Sequence, residues 1–334
     1  MSTNAPRSVL MLGGYGSLGS RTSRLLRQLH PELPIIVAGR DAGKAAAFAD
    51  ALGHATPAEI DLGRADLGLP PHADPGLVVT ALRDLSLNSM RYAQAQRIPY
   101  VALSDGAFEI GPVVARHIHN PAAPILLLGH SIGSVPALVS LHFAREFKTI
   151  EAIEIGLVFD PDDPLGPASA MDMERIAKVG SSPLLLDGGR WRWVHAEEAR
   201  RSFTGIGGVP HAGEAVGLVD VLTLAATGTR SIRVDIAVGQ TETRRRGEAP
   251  SHEVIIEITG ERRDGASGRF RYELIDREGY AMMSARGVAL AIERLLGLVG
   301  GTAPGPGLYL PETFVDPDHL VRRIQEFGVE IRRM

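Results

Sequence analysis

Val9-Leu10-Met11-Leu12-Gly13-Gly14-Tyr15-Gly16-Ser17-Leu18-Gly19-Ser20 reads as a strand, a glycine turn and the start of a helix. Four apolar residues in a row suit a buried strand. Beyond the turn, Leu18, Thr22, Leu25, Leu26 and Leu29 share one face at helical spacing. Gly14, Gly16 and Gly19 match G-x-G-x-x-G, the dinucleotide fingerprint. The first glycine permits a tight turn, the second lets backbone N–H groups reach a pyrophosphate, and the third lets helix and strand approach closely. The helix then presents its positive dipole end to the phosphates. Gly13, Gly14, Tyr15, Gly16, Ser17, Leu18 and Gly19 are therefore expected to bind a cofactor.

Outward from this unit, strands and helices alternate over the first 130 residues. Expected strands are Ile35 to Ala38, Ala58 to Ile60, Leu77 to Thr80, Tyr100 to Leu103 and Ile125 to Leu128. Expected helices run from Ala42 to Leu52 with Asp41 as N-cap, over Leu85 to Gln96, and to about His119 with an interruption at Gly111-Pro112. Continuous apolar strands suit a parallel sheet covered on both faces, with ligands at the carboxyl ends of the strands.

The texture changes after residue 130. Ile232, Val234, Ile236 and Val238 alternate, as do Val254, Ile256 and Ile258, and Asp264-Gly265 falls in a loop between strands. Ile153, Ile155, Leu157 and Phe159 fit the same antiparallel, half-buried sheet. Residues 160–213 are rich in Pro, Gly and charge, with a short helical piece at Met171 to Val179. A helix over Ala281 to Leu298, a Gly/Pro linker and a last strand at Val329 to Ile331 close the chain. The expected fold is α/β: a doubly wound parallel sheet of the Rossmann kind over residues 1–130, then an α/β domain with a mainly antiparallel sheet over 131–280, with 281–334 rejoining the first domain.

Composition narrows the classes. The 334 residues exceed one ordinary core. A net charge of −4 calls for no nucleic acid, and Arg244-Arg245-Arg246 reads as a solvated loop. The chain has no cysteine, which excludes disulfides, thiolate catalysis and cysteine-based zinc sites. No run approaches the ~18 apolar residues of a membrane span, and Met1 to Arg7 is too polar for a signal-peptide core. A cytoplasmic, soluble protein without membrane partner is the expectation. His117 and His119 would lie on different faces of a helix, and no metal site is expected.

The end of the second strand speaks to the nucleotide. An acidic residue about 20 positions after the glycines binds a ribose 2′-hydroxyl, whereas an arginine there accommodates a 2′-phosphate. Here the position is Arg40, whose guanidinium fork suits phosphate, so NADP(H) is preferred and NAD(H) stays possible through Asp41. Asp61 is placed near the adenine edge or as a turn cap. Thr80, Ala81 and Leu82 are expected beneath the nicotinamide ribose.

Several stretches resemble the saccharopine dehydrogenase-like reductases: the Gly13 to Gly19 loop, Ala38-Gly39-Arg40, Tyr100 to Asp105, Leu128-Gly129-His130-Ser131-Ile132-Gly133, and Pro306 to Glu312. The resemblance implies a Rossmann domain, an inserted α/β domain making substrate and homodimer contacts, and NAD(P)-linked oxidoreduction. Amino-acid-handling members carry Asp-Pro-Gly and then Asp-His after the sixth strand. This chain has Ser131-Ile132-Gly133 and then Val135-Pro136, so an α-amino group loses its partner and saccharopine is not the expected substrate.

Hydride transfer needs a proton donor or polarising group beside the cofactor, and histidine titrates near neutrality. His130, directly after a strand, and its neighbour Ser131 are the catalytic candidates. Asp105, His211 and Glu214 are the substrate-binding candidates, the last two in a glycine-rich loop over Gly207 to Glu214. None of the six tyrosines has a lysine four residues later, so the short-chain reductase pair is absent. Gly129-x-Ser131-x-Gly133 also matches the hydrolase elbow, against which stands the nucleotide loop on the first strand. The expected activity is oxidoreduction of a small metabolite; the competing class is an NADP(H)-binding sensor without turnover.

Overall fold

The glycine turn leaves an interior strand of a parallel sheet. A computed structural model describes residues 7–103, 106–107, 109–129, 132–167, 169–171, 174, 182–300 and 303–334. These form two compact units. The first contains the described residues of segments 1–104, 109–128 and 288–314, the second those of 105–108, 129–287 and 315–334.

In chain order the elements begin with β1 (Ser8–Leu12), α1 (Ser17–Leu29), β2 (Ile35–Gly39), α2 (Ala42–Leu52), β3 (Ala55–Glu59), β4 (Pro75–Thr80), α3 (Asn88–Gln96), β5 (Tyr100–Ala102), α4 (Ile110–His119) and β6 (Pro124–Leu127). There follow α5 (Val135–Ala144), β7 (Phe147–Phe159), β8 (Leu184–Asp187), β9 (Arg190–Trp193), β10 (Arg200–Thr204), β11 (Pro210–Ala215), α6 (Asp220–Leu224), β12 (Ser231–Val238), α7 (Glu242–Arg245), β13 (His252–Arg262) and β14 (Ser267–Asp276). The chain closes with α8 (Tyr280–Leu295), β15 (Gly307–Tyr309), α9 (Pro317–Glu326) and β16 (Glu330–Arg333).

The first unit has the strand order β15-β6-β5-β4-β1-β2-β3, every neighbour parallel. Apart from the added β15 this is the doubly wound order, which reverses direction between β1 and β4. Val9 pairs with Ile35 on one side and Leu77 on the other, and Val9 to Leu12 are fully buried. Parallel strands covered on both faces need such runs.

Local chemistry explains where the element bounds depart from the sequence reading. β3 starts at Ala55, earlier than expected, and includes Pro57. Among the described residues it pairs only with β2, and an edge strand tolerates a residue without an N–H. α3 starts at Asn88 because the Asp84 carboxylate accepts the N–H and hydroxyl of Ser89, both at 2.7 Å, and holds the preceding turn open. Gly111 and Pro112 do not interrupt α4; they lie in its first turn, where a missing N–H costs nothing. The Asp41 side chain caps α2 through the N–H of Lys44 at 3.0 Å.

The second unit is built on the strand order β10-β11-β12-β7-β13-β14-β16, with β8 and β9 branching from β12. The sheet is mixed: β12 and β7 run parallel, and the other neighbours antiparallel. The expected alternation on β12 breaks midway. Ile232 and Val234 are buried, yet Val238 is 70% exposed while Asp235 and Ala237 are buried. The cause is β10, whose Phe203 joins Ile206, Val158, Ala237, Ile255 and Ile275 in a cluster on the other face. A Cβ at Gly156 would lie 2.7 Å from Phe203 Cδ2, so the ring is seated on bare backbone.

The C-terminal segment divides. β15 joins the first sheet beside β6, whereas β16 pairs with β14 in the second. The helical piece expected at Met171 to Val179 falls mostly outside the described residues.

The second sheet also buries His252 completely, its ring 4.9 Å from that of Phe159 and 5.7 Å from that of Tyr280. Neither ring nitrogen has a hydrogen-bond partner among the described residues. Burial pushes its pKa down to about 3 from 6.5. A depressed folded-state pKa means that the unfolded chain takes up the proton first, so this contribution is complete above pH 6.5 and is lost on acidification toward pH 3. Urea unfolding at pH 7 and pH 5 should show wild-type stability falling on acidification by up to ~1.4 kcal/mol per pH unit from this residue. His252→Leu should flatten that slope; an unchanged slope would show that the imidazole is not held neutral.

Candidate functional site

The carboxyl ends of β1 and β4 meet where the strand order reverses, and the glycine loop lies there. Gly13 turns at φ +79°, a conformation that side chains resist. Its N–H and that of Gly14 both donate to the Ala38 carbonyl, at 2.9 and 3.0 Å, which ties the loop to β2. The left-handed residue is thus Gly13, one position ahead of the fingerprint's first glycine. Gly19 shows the close-packing role: a Cβ there would collide with the Gly13 carbonyl oxygen and lie 2.9 Å from the Gly14 Cα.

The head of α1 is left open. Gly16 is its N-cap in extended conformation, no side chain among the described residues caps it, and its first turn carries no acidic residue. The Ser17 hydroxyl is engaged by Arg21 Nη1 at 2.8 Å. First-turn N–H groups have no intrahelical partner, so a capless helix head offers donors to an anion.

The neighbouring strand ends complete the edge. Thr80 closes β4, is buried, and its Oγ1 has no partner among the described residues. Ala81 donates its N–H to the Leu12 carbonyl at 2.9 Å, and a Cβ at Gly13 would lie 3.1 Å from the Ala81 carbonyl and 3.4 Å from Leu82 Cδ2. Thr80, Ala81 and Leu82 therefore line the glycine loop.

At the end of β2 the roles of two neighbours separate. Arg40 is exposed and makes no side-chain ion pair or hydrogen bond among the described residues. The Asp41 carboxylate is engaged by Lys44, through the N–H at 3.0 Å and Nζ at 3.6 Å. Its pKa is lowered, chiefly by the Lys44 backbone hydrogen bond. The Asp41 N–H donates to the Tyr15 hydroxyl at 3.1 Å. Asp61 caps its own turn, accepting the Gly63 N–H at 2.7 Å.

In the second unit, His211 and Glu214 lie on β11 and not in a loop. Three residues apart on a strand, they face opposite sides: His211 is buried and Glu214 exposed. Burial, and secondarily the Arg245 charge, lowers the His211 pKa, and Nε2 has no partner among the described residues. The structure does not bring the two together. A shallow cavity of about 430 Å³ runs along β10 and β11 beside them. His130, Ser131 and Asp105 lie outside the described residues.

Beside Gly129 stands a residue that no motif marks. Asp220, at the start of α6, is buried, and a Cβ at Gly129 would lie 2.5 Å from its Oδ2 and 2.9 Å from Ser134 Oγ. Ser134 Oγ accepts the Gly129 N–H at 2.7 Å. The only signal in the sequence is a lone aspartate among apolar neighbours, Leu218-Val219-Asp220-Val221-Leu222.

A dinucleotide fits the first unit: its residues present an open helix head, a close-packed glycine turn and an orphaned buried hydroxyl on one sheet edge. Among the described residues no group of three His, Asp or Glu side chains could hold a metal ion, and no helix is long and apolar enough to cross a membrane.

No family model matches this chain, and no curated protein does. Solved structures do resemble it. A "probable dehydrogenase" from Thermotoga maritima is similar over 98% of both chains, at 10% identity and a TM-score of 0.50. An oxidoreductase from Agrobacterium radiobacter, solved in complex with NAD+, L-tartaric acid and magnesium, is similar over 98% of both chains at 11% identity and a TM-score of 0.48. A dipicolinate-bound dihydrodipicolinate reductase from Paenisporosarcina covers 91% of this chain and 97% of its own at 14% identity and a TM-score of 0.41. The Thermotoga likeness shows the fold: a Rossmann-type α/β unit with a second, mixed-sheet unit.

Gly19→Ala tests the packing. The added methyl must move backbone atoms of Gly13 and Gly14, so urea unfolding should show a loss of ~1–3 kcal/mol. Unchanged stability would mean that loop and helix are less closely packed than described.

Proposed function

We propose that the chain is a saccharopine dehydrogenase-like oxidoreductase that uses NADP(H) in preference to NAD(H) and acts on a small metabolite other than saccharopine. The observation that carries this reading is the open head of α1 behind the Gly13 turn, at the strand-order reversal where such sheets bind ligands.

In this reading the first-turn N–H groups of α1 and the loop from Gly13 to Gly19 hold the diphosphate. The 2′-phosphate preference rests on the division of labour after β2. Arg40 has no partner for its guanidinium among the described residues, whereas the Asp41 carboxylate, which would favour a 2′-hydroxyl, is already engaged by Lys44. Thr80 Oγ1, without a partner among the described residues, offers a hydrogen bond at the same edge. When bound, the nicotinamide supplies the hydride donor or acceptor.

The chain's own task is then to orient a substrate and move a proton. We assign the proton-handling role to His130 with Ser131, and substrate contacts to Asp105 and to one of His211 and Glu214, which face opposite sides of β11. A C=N, C=O or conjugated C=C bond is the group reduced. The reading includes a cytoplasmic homodimer joined through the second sheet. One face of that sheet carries rows of paired charges: Arg201 and Arg233 bracket Asp235 at 2.6 and 2.8 Å, and Arg269 reaches Glu154 at 2.8 Å.

Calorimetry with NADP and NAD tests the cofactor assignment. NADP should bind more tightly, and Arg40→Ala should weaken it by about ten-fold or more while leaving NAD within two-fold, since a hydrogen bond to a charged group contributes ~1.5–3 kcal/mol. Tighter NAD binding, or an indifferent Arg40→Ala variant, would overturn the preference. Binding without turnover across a metabolite panel would replace the enzyme reading with that of a nucleotide sensor.

A further inference from the structure

Tyr15 lies where the nucleotide fingerprint leaves its residue type open, yet its side chain is committed. Its ring is seated on Gly39, the last residue of β2: a Cβ there would lie 2.6 Å from the ring Cζ and 2.7 Å from the hydroxyl. The seat therefore requires glycine. From it the hydroxyl accepts the N–H of Asp41 at 3.1 Å. The ring thus spans from the glycine loop to the start of α2. It crosses from the residues that would hold the diphosphate to the residue, Arg40, that would meet the 2′ position.

The Asp41 N–H is a donor on the same turn as the Arg40 guanidinium, which has no partner among the described residues, and Lys44 is one helical turn further on. The Asp41 carboxylate is held back by its cap to the Lys44 N–H. A phosphate oxygen arriving at this turn would meet the Arg40 guanidinium and the Asp41 N–H, and that N–H is held by the phenol oxygen.

We propose that Tyr15 sets the discrimination between nucleotides with a 2′-phosphate and those with a 2′-hydroxyl, its phenol oxygen acting as a placeholder for a phosphate oxygen. This rests on the reading of the first unit as a nucleotide site. A neutral 2′-hydroxyl exchanges one neutral hydrogen bond for another and gains nothing by displacing the phenol. A dianionic phosphate makes a charge-assisted bond to the same N–H, roughly twice as strong, and displaces it. The phenol thereby subtracts its own hydrogen bond from phosphate binding alone.

Calorimetry with adenosine 2′,5′-bisphosphate and with ADP, neither of which carries nicotinamide, separates the possibilities. Tyr15→Phe keeps the ring on Gly39 and removes the competing oxygen. It should tighten bisphosphate binding by about five-fold and leave ADP within two-fold. In the unliganded variant, the Asp41 amide proton should exchange faster with solvent than in wild type. If wild type binds both probes and Tyr15→Phe shifts neither, or shifts both equally, the Tyr15 proposal fails while the nucleotide site stands. If wild type binds neither at millimolar concentration, the nucleotide site itself fails, and the proposal with it.

Discussion

The first unit depends on the close approach of α1 to β1. Gly19 rests against the backbone of Gly13 and Gly14, and that contact holds the helix head directly beyond the strand end. Gly13 makes the turn at positive φ, and the paired hydrogen bonds from Gly13 and Gly14 to the Ala38 carbonyl lock it to the neighbouring strand. A side chain at either place would push the helix away and break the alignment of its N–H groups with the sheet edge. Because β1 lies between β2 and β4, the same contact brings Arg40 and Thr80 to one edge.

The second unit solves a different problem. Its sheet carries many charges, and Glu154 and Glu257 stand directly opposite each other on β7 and β13. Like charges so placed repel. Arg269 reaches both carboxylates and Arg271 lies 3.6 Å from Glu257, so the repulsion is answered within the sheet. Asp235, fully buried, is bracketed by Arg201 and Arg233 in the same manner. Removing both arginines would leave an uncompensated buried charge, which costs far more than the pairing contributes.

Much of this was legible in the sequence because it is local. A four-residue apolar strand, a glycine turn and a helical stripe announce β1 and α1, and the acidic N-cap announces α2. What stayed hidden depends on distant partners. Pro57 sits in a strand because that strand is an edge, which only the topology reveals. The face switch along β12 follows from Phe203 on a remote strand finding glycine at 156. β16 joins β14 across more than fifty residues of chain (Glu330 with Ile275), and no periodicity encodes that pairing. The site shows the same division. The glycines and Arg40 could be read from spacing, but the engagement of Asp41 by Lys44 and Tyr15, and the burial of Asp220 against Gly129, could not. His211 and Glu214 were grouped by proximity in a glycine-rich stretch; the strand they form sets them on opposite faces.

The central claim is that backbone N–H groups at the head of α1 grip a diphosphate. Amide NMR during titration with NADP tests it most directly. The resonances of Gly16, Ser17, Leu18 and Gly19 should shift strongly and saturate together, while those of Val254, Ile256 and Ile258 in the second sheet stay within a small fraction of that change. Saturating shifts elsewhere with the loop amides unmoved, or no shifts at millimolar nucleotide, would contradict the account.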